Sequence, residues 1–120
     1  MSGAEGDDFR AQAFQPVSVS ITAPDAECAR RIARRLVEMR LAACVQLVDP
    51  IHSVYRWQGE IHDEAEVLLT AKSAEPLVPH IAALLKELHP YQVPELAAVP
   101  IVAGSPAYLA WLRENLEAAP

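Results

Sequence analysis

The chain has 120 residues, 52% of them apolar and 22% charged, which is the size and composition of one ordinary globular domain with one core. A net charge of −6 argues against nucleic acid and against anionic membrane surfaces as partners. Two cysteines, Cys28 and Cys44, are too few for a disulfide framework, and no apolar run approaches the length of a membrane span.

Residues 1–15 place Asp7 and Asp8 where a secretory signal would need apolar residues. They read as a disordered leader before a single domain over 16–120, in a cytoplasmic protein with reduced thiols. Val17 to Thr22 alternates apolar and polar, the period-two sign of a half-buried strand. Pro24-Asp25 stops it, and Asp25 is a good N-cap for the helix that follows. That helix gathers Ala29, Ile32, Ala33 and Leu36 on one face. Arg30, Arg31, Arg34 and Arg35 fall elsewhere as a solvated face, with Glu27 within i,i+4 reach of Arg31.

Ala42 to Val48 predicts a second strand, ended by Asp49-Pro50. Ala43, Val45 and Leu47 share one face, Cys44 and Gln46 the other. Ile51 to Trp57 predicts a third segment with Ile51, Ser53, Tyr55 and Trp57 on one face. Gln58-Gly59 reads as a tight turn, and Glu60 to Lys72 runs back as a strand with a polar first half and an apolar second half. A long hairpin follows, its base in the core and its tip outside it. Such an arm ordinarily meets another surface, since a bare edge invites aggregation. A second helix spans about Pro76 to Leu88, with Leu77, Ile81, Leu84, Leu85 and Leu88 as its buried stripe.

His89-Pro90-Tyr91-Gln92-Val93-Pro94-Glu95 then forms a stiff extended connector, because each proline fixes its own φ and restricts the residue before it. It presents His89, Tyr91 and Glu95 from a backbone with few alternatives. It can be a site or only a connection whose prolines reduce unfolded-state entropy. Leu96 to Val102 predicts an edge strand, with Pro100 at the edge or a bulge. Ser105-Pro106 sets up a last helix with Tyr108, Leu109, Leu112 and Leu116 on its apolar face. Trp111 at the margin of that face suggests a further surface to cover. Strand, helix, hairpin, helix, strand is the split βαβ pattern of an α+β, ferredoxin-like domain, here with an extra C-terminal helix.

Motifs for specific chemistry are missing. There is no Gly-x-Ser-x-Gly elbow, Gly-rich phosphate loop, His-Glu-x-x-His or Cys-x-x-Cys, so an enzyme is not expected. Cys44 is the one candidate nucleophile. His62, Glu64 and Glu66 share a strand face with steps of roughly 7 Å, too far apart to close a tetrahedral metal site on their own.

Thr22-Ala23-Pro24-Asp25, Leu41-Ala42-Ala43-Cys44, Tyr55-x-Trp57-x-Gly59-Glu60, Glu66 with Lys72, His89 to Glu95, and Tyr108-Leu109-x-Trp111-Leu112 occur in this order. Together they closely resemble the CutA family of divalent-cation tolerance proteins, over Val17 to Leu116. The resemblance implies a ferredoxin-like fold in a tight homotrimer, with Trp57, Tyr108 and Trp111 packed in the assembly. It implies a non-enzymatic role in the response to divalent metal ions, with no required cofactor and copper as a candidate cation. A PII-like trimeric module, binding a small ligand between subunits, is the alternative. In members proposed to bind copper, a cysteine precedes Thr-Ala-Pro-Asp and two histidines precede Pro-Tyr. Ile21 and Leu88-His89 stand there in this chain, which leaves His89 and Cys44 as metal candidates and implies weak copper binding. Cys44, Glu66, Lys72, Tyr91 and Glu95 are expected to line an inter-subunit cleft. Within it Lys72 would meet Glu95 and His89 would stand at the mouth.

Overall fold

The computed structural model describes residues 14–117. Nearly all of the leader expected over 1–15 lies outside the described residues. β1 (Pro16–Ala23) turns Val17, Val19, Ile21 and Ala23 to one face, and all four are buried. α1 (Ala26–Glu38) starts at Asp25, whose Oδ1 accepts the Cys28 N–H at 2.8 Å. It buries Cys28, Ala29, Ile32 and Leu36 and leaves all four arginines exposed. Its ion pair is Arg34–Glu38 at 3.3 Å, rather than the Glu27–Arg31 pair that the spacing suggests.

No glycine ends α1. Arg40 takes a φ of 58°, a left-handed conformation that side chains with a Cβ resist. Its guanidinium offsets that strain by donating to the Glu114 carbonyl at 2.6 Å, and its own carbonyl accepts the Glu117 N–H at 2.8 Å. The end of α1 is thereby tied to the C-terminal segment.

β2 (Cys44–Trp57) and β3 (Glu60–Ala74) form the long hairpin. The sequence predicts a break at Asp49-Pro50, but the strand runs through it. Val48 pairs with Leu68 and Ile51 with Glu66, so two residues of β2 stand against one of β3, a β-bulge. Pro50 is tolerated there because β2 is an edge strand. The bulge also resets the alternation: Val48 and Ile51, three positions apart, share a face. At the tip Gln58 and Gly59 have φ of 49° and 83°, the paired positive values of a type I′ turn.

A 3₁₀ turn (Glu75–Leu77) precedes α2 (Val78–Leu88), so the regular helix begins beyond Pro76. Pro79 sits in its first turn, where a missing N–H is harmless. Leu77, Ile81, Leu84 and Leu85 are buried and Leu88 packs beside them. β4 (Ala97–Pro100) is shorter than the expected Leu96 to Val102. It pairs only with β1, and Pro100 opposite Val17 ends the ladder at the far edge of the sheet. α3 (Pro106–Glu114) starts at Ser105, whose Oγ accepts the Tyr108 N–H at 3.3 Å. Leu112 is fully buried, and Leu116, just beyond the helix, joins the core.

The sheet order is β2-β3-β1-β4 with every neighbouring pair antiparallel, the arrangement of a ferredoxin-like α+β fold. α1 and α2 cover one face, where Val19, Ile21, Leu69 and Ala71 are fully buried. The register puts Ser18, Ser20, Leu68, Thr70 and Gln46 on the other face, which is only partly covered.

Candidate functional site

The bulge positions the site. By bringing Ile51 opposite Glu66, it puts Ser53, Tyr55 and Trp57 of β2 on the same face as Glu66, Glu64, His62 and Glu60 of β3. The connector after α2 lies against that face. Between them is a cavity of about 720 Å³, lined by the segment Pro90 to Glu95, by Ser53, Tyr55 and Trp57, and by Thr22 and Glu66.

His89 fixes the connector. Its ring is buried, and its Nε2–H donates to the Thr22 carbonyl at 2.7 Å. Its Nδ1 accepts the Tyr91 N–H at 3.1 Å. A neutral imidazole has one donor and one acceptor, and here both are used. The Tyr91 ring lies 4.7 Å from the His89 ring, and the Tyr91 hydroxyl donates to Glu66 Oε2 at 3.3 Å. Burial, and then the charge of Glu66, push the Tyr91 hydroxyl up to about 12. On the arm, Tyr55 donates to the Glu64 carboxylate and stacks on His62 at 5.2 Å. The Glu64 hydrogen bond pushes the Tyr55 hydroxyl up to about 12. Both phenols therefore remain protonated donors through the physiological range.

Of the residues expected in an inter-subunit cleft, a single chain already brings together Glu66, Tyr91 and Glu95. Cys44 and Lys72 lie elsewhere. They are cross-strand partners at the base of the hairpin, roughly 20 Å from Glu66 along β3. Within one chain, Lys72 Nζ donates to Gln46 Oε1 at 3.2 Å. Cys44 Sγ lies 3.9 Å from the Tyr108 hydroxyl, and Tyr108 stacks on Trp111 at 5.9 Å. Burial first and the Cys44 contact second push the Tyr108 hydroxyl above its ordinary value. His89 is buried and is not among the residues that line this single-chain cavity.

A metal ion finds no cage in one chain. Among the described residues, no group of three or more His, Cys, Asp or Glu is placed to hold one. His89 has no free nitrogen, and Cys44 stands at the other end of the sheet from it. These two residues therefore do not fit a copper site within a single chain. Tyr55 and Ser53 were not expected at the site, and Trp57 was expected only in packing. The signal was present in the alternation Ile51, Ser53, Tyr55, Trp57. What was missing was the bulge, which carries that alternation onto the Glu66 face.

Comparison with known proteins agrees with this frame. The family model of the CutA1 divalent ion tolerance protein matches residues 17–115. The divalent-cation tolerance protein CutA of Thermus thermophilus is 52% identical over 97 residues, which are 81% of this chain and 94% of that one. Protein CutA of Mus musculus is 42% identical over 107 residues, 87% of this chain; the match spans only 60% of that longer protein. The solved structure of the divalent cation tolerance protein Cut A1 from Thermus thermophilus superposes with a TM-score of 0.83 at 49% identity, covering 85% of this chain and 99% of that one. With a match across nearly every described residue and the same fold, the chain belongs to the CutA family of divalent-cation tolerance proteins.

Proposed function

We propose that the protein acts as a homotrimer in the cellular response to divalent cations, without catalysing a reaction and with only weak affinity for copper. The observation that carries this reading is the family match over residues 17–115. The trimer is supported by what one chain leaves uncovered. Val54 and Ile61 on the arm are 68% and 67% exposed, and Trp57 and Trp111 are each about two-fifths exposed. Large apolar groups in such numbers mark a surface that meets protein. The sheet also has two bare edges, β2 and β4, and closed symmetric assembly removes such edges.

The chemistry around the candidate residues supports the rest. Cys44 touches a tyrosine hydroxyl that holds its proton, not a base, so it is a poor nucleophile. Weak copper binding follows from the use of both His89 nitrogens. The cytoplasm is the proposed location, on the strength of two free thiols. Among the described residues no helix is long and apolar enough to cross a membrane.

Calorimetry with copper on the wild type and on His89→Ala tests the metal claim. The expected result is no tight stoichiometric binding to either. Tight binding lost in the variant would overturn it.

A further inference from the structure

We infer that the outward face of α1 is a docking surface for an acidic segment of another protein, held by Arg30, Arg31, Arg34 and Arg35. This surface is separate from the cation-response reading and from the faces taken above to be covered by other copies of the chain.

The chain holds ten Lys and Arg against sixteen Asp and Glu, yet five of the ten fall within residues 30–40, beside one acid, Glu38. The rest of the chain is strongly acidic and this one helix is basic. α1 buries Cys28, Ala29, Ile32 and Leu36, which turns all four arginines outward. Arg34 pairs with Glu38 while its side chain stays 82% exposed. The side chains of Arg30, Arg31 and Arg35 make no hydrogen bond or ion pair among the described residues. The surfaces read above as meeting another copy are the hairpin arm, the sheet edges and α3, so assembly through them does not use this face.

Spacing then selects the partner. Arg30 with Arg34, and Arg31 with Arg35, form two rows whose members stand about 6 Å apart along the helix axis. Carboxylates four residues apart on a partner helix repeat at the same distance, and each guanidinium can take a carboxylate with two parallel hydrogen bonds. One exposed pair is weak, so the surface needs several in register. Val37, three residues past Arg34 and 43% exposed, adds an apolar contact at the end of the first row. A small anion gains little on a convex helix surface, which leaves most of it in water. Nucleic acid or an anionic membrane carries charge well beyond the patch and would meet the acidic remainder of the chain. A short peptide meets the patch alone, because screening limits its reach to about 8 Å at physiological salt.

The test is fluorescence anisotropy at physiological ionic strength. The probe is a labelled alanine-based peptide with Glu at every fourth position and Leu at both ends, titrated with the full-length protein. It should bind saturably, and the same peptide with Gln in place of Glu should not. Arg31→Gln combined with Arg35→Gln should weaken binding at least roughly tenfold. Gln forms helix nearly as well as Arg, so the melting temperature of that variant should not change. Arg31→Lys with Arg35→Lys, which keeps the charge and loses the fork, should retain binding only in part. Lys86→Gln, an exposed change on α2, should leave binding as it is. No saturable binding at millimolar concentration, equal binding of the Gln peptide, or an unchanged affinity in the Arg→Gln variant would overturn the proposal. So would a single-stranded oligonucleotide or a phosphatidylserine vesicle that displaces the labelled peptide at lower concentration than the unlabelled peptide does.

Discussion

The hairpin has two halves made from the same two strands, and they differ in what lies against them. At its base, Leu69 and Ala71 of β3 are fully buried beneath α1 and α2, with Val45 and Leu47 of β2 packed beside them. Beyond the bulge the pairing continues residue for residue from Ile51 to Trp57, yet Val54 and Ile61 stand about two-thirds exposed. Backbone pairing is the same in both halves, so it does not explain the difference. Helix cover does. The base belongs to the core of this chain, while the arm is folded by its turn and its cross-strand pairs and keeps its side chains exposed in a single chain.

The largest way to test this contrast is at the base. Leu69→Ala should cost about 2–5 kcal/mol, as for other fully buried leucines, whatever the state of assembly. Urea unfolding at two protein concentrations reads it. Ile61→Ala on the arm should cost a single chain no more than about 0.5 kcal/mol. A similar loss from both would mean that the arm is as much core as the base.

Trp57→Ala and Trp111→Ala come next. If copies of the chain cover these rings, truncation removes a buried aromatic worth roughly 3–5 kcal/mol, expressed through assembly. Each variant should then melt at a temperature that rises with protein concentration more steeply than the wild type does. Wild-type mass and melting temperature in both variants would remove these rings from the interface.

Much of this was legible in the sequence. The alternation of β1, the Asp25 and Ser105 caps, the Gln58-Gly59 turn and the leucine stripe of α2 are local signals, each resting on neighbours within a few residues. The split βαβ class also followed, because βαββαβ leaves few ways to place short right-handed connections. What could not be read were the facts that depend on pairing. Asp49-Pro50 spells a break in sequence, and only an edge position lets β2 run on through a bulge. That bulge decides which arm residues face Glu66, and so it alone places Tyr55 at the cavity. Lys72 and Glu95 carry opposite charges, and nothing local in the sequence shows that within one chain Lys72 reaches Gln46. Arg40 in a left-handed conformation gave no sign of itself, since its compensation comes from Glu114 and Glu117, far along the chain.

A smaller effect sharpens the contrast from the arm side. Tyr55 and Tyr91 titrate near 12 rather than 10. The fold binds these protons more tightly than the unfolded chain does. Their contribution is therefore complete below pH about 10 and is lost as pH rises toward about 12. Phenolate absorbance should show little ionisation of either at pH about 10. Glu64→Gln should return Tyr55 most of the way to its ordinary value, because that hydrogen bond is the main cause. Glu66→Gln should lower Tyr91 only in part, because burial contributes more. The reverse ranking would mean that the connector does not close over Tyr91 as described.

The central claim is that copies of this chain cover the exposed half of the hairpin. Sedimentation equilibrium of the wild-type protein at micromolar concentration tests it most directly. The account predicts a single species of about three times the 13.1 kDa chain mass, and a stable 13.1 kDa species with its arm in solvent would contradict it.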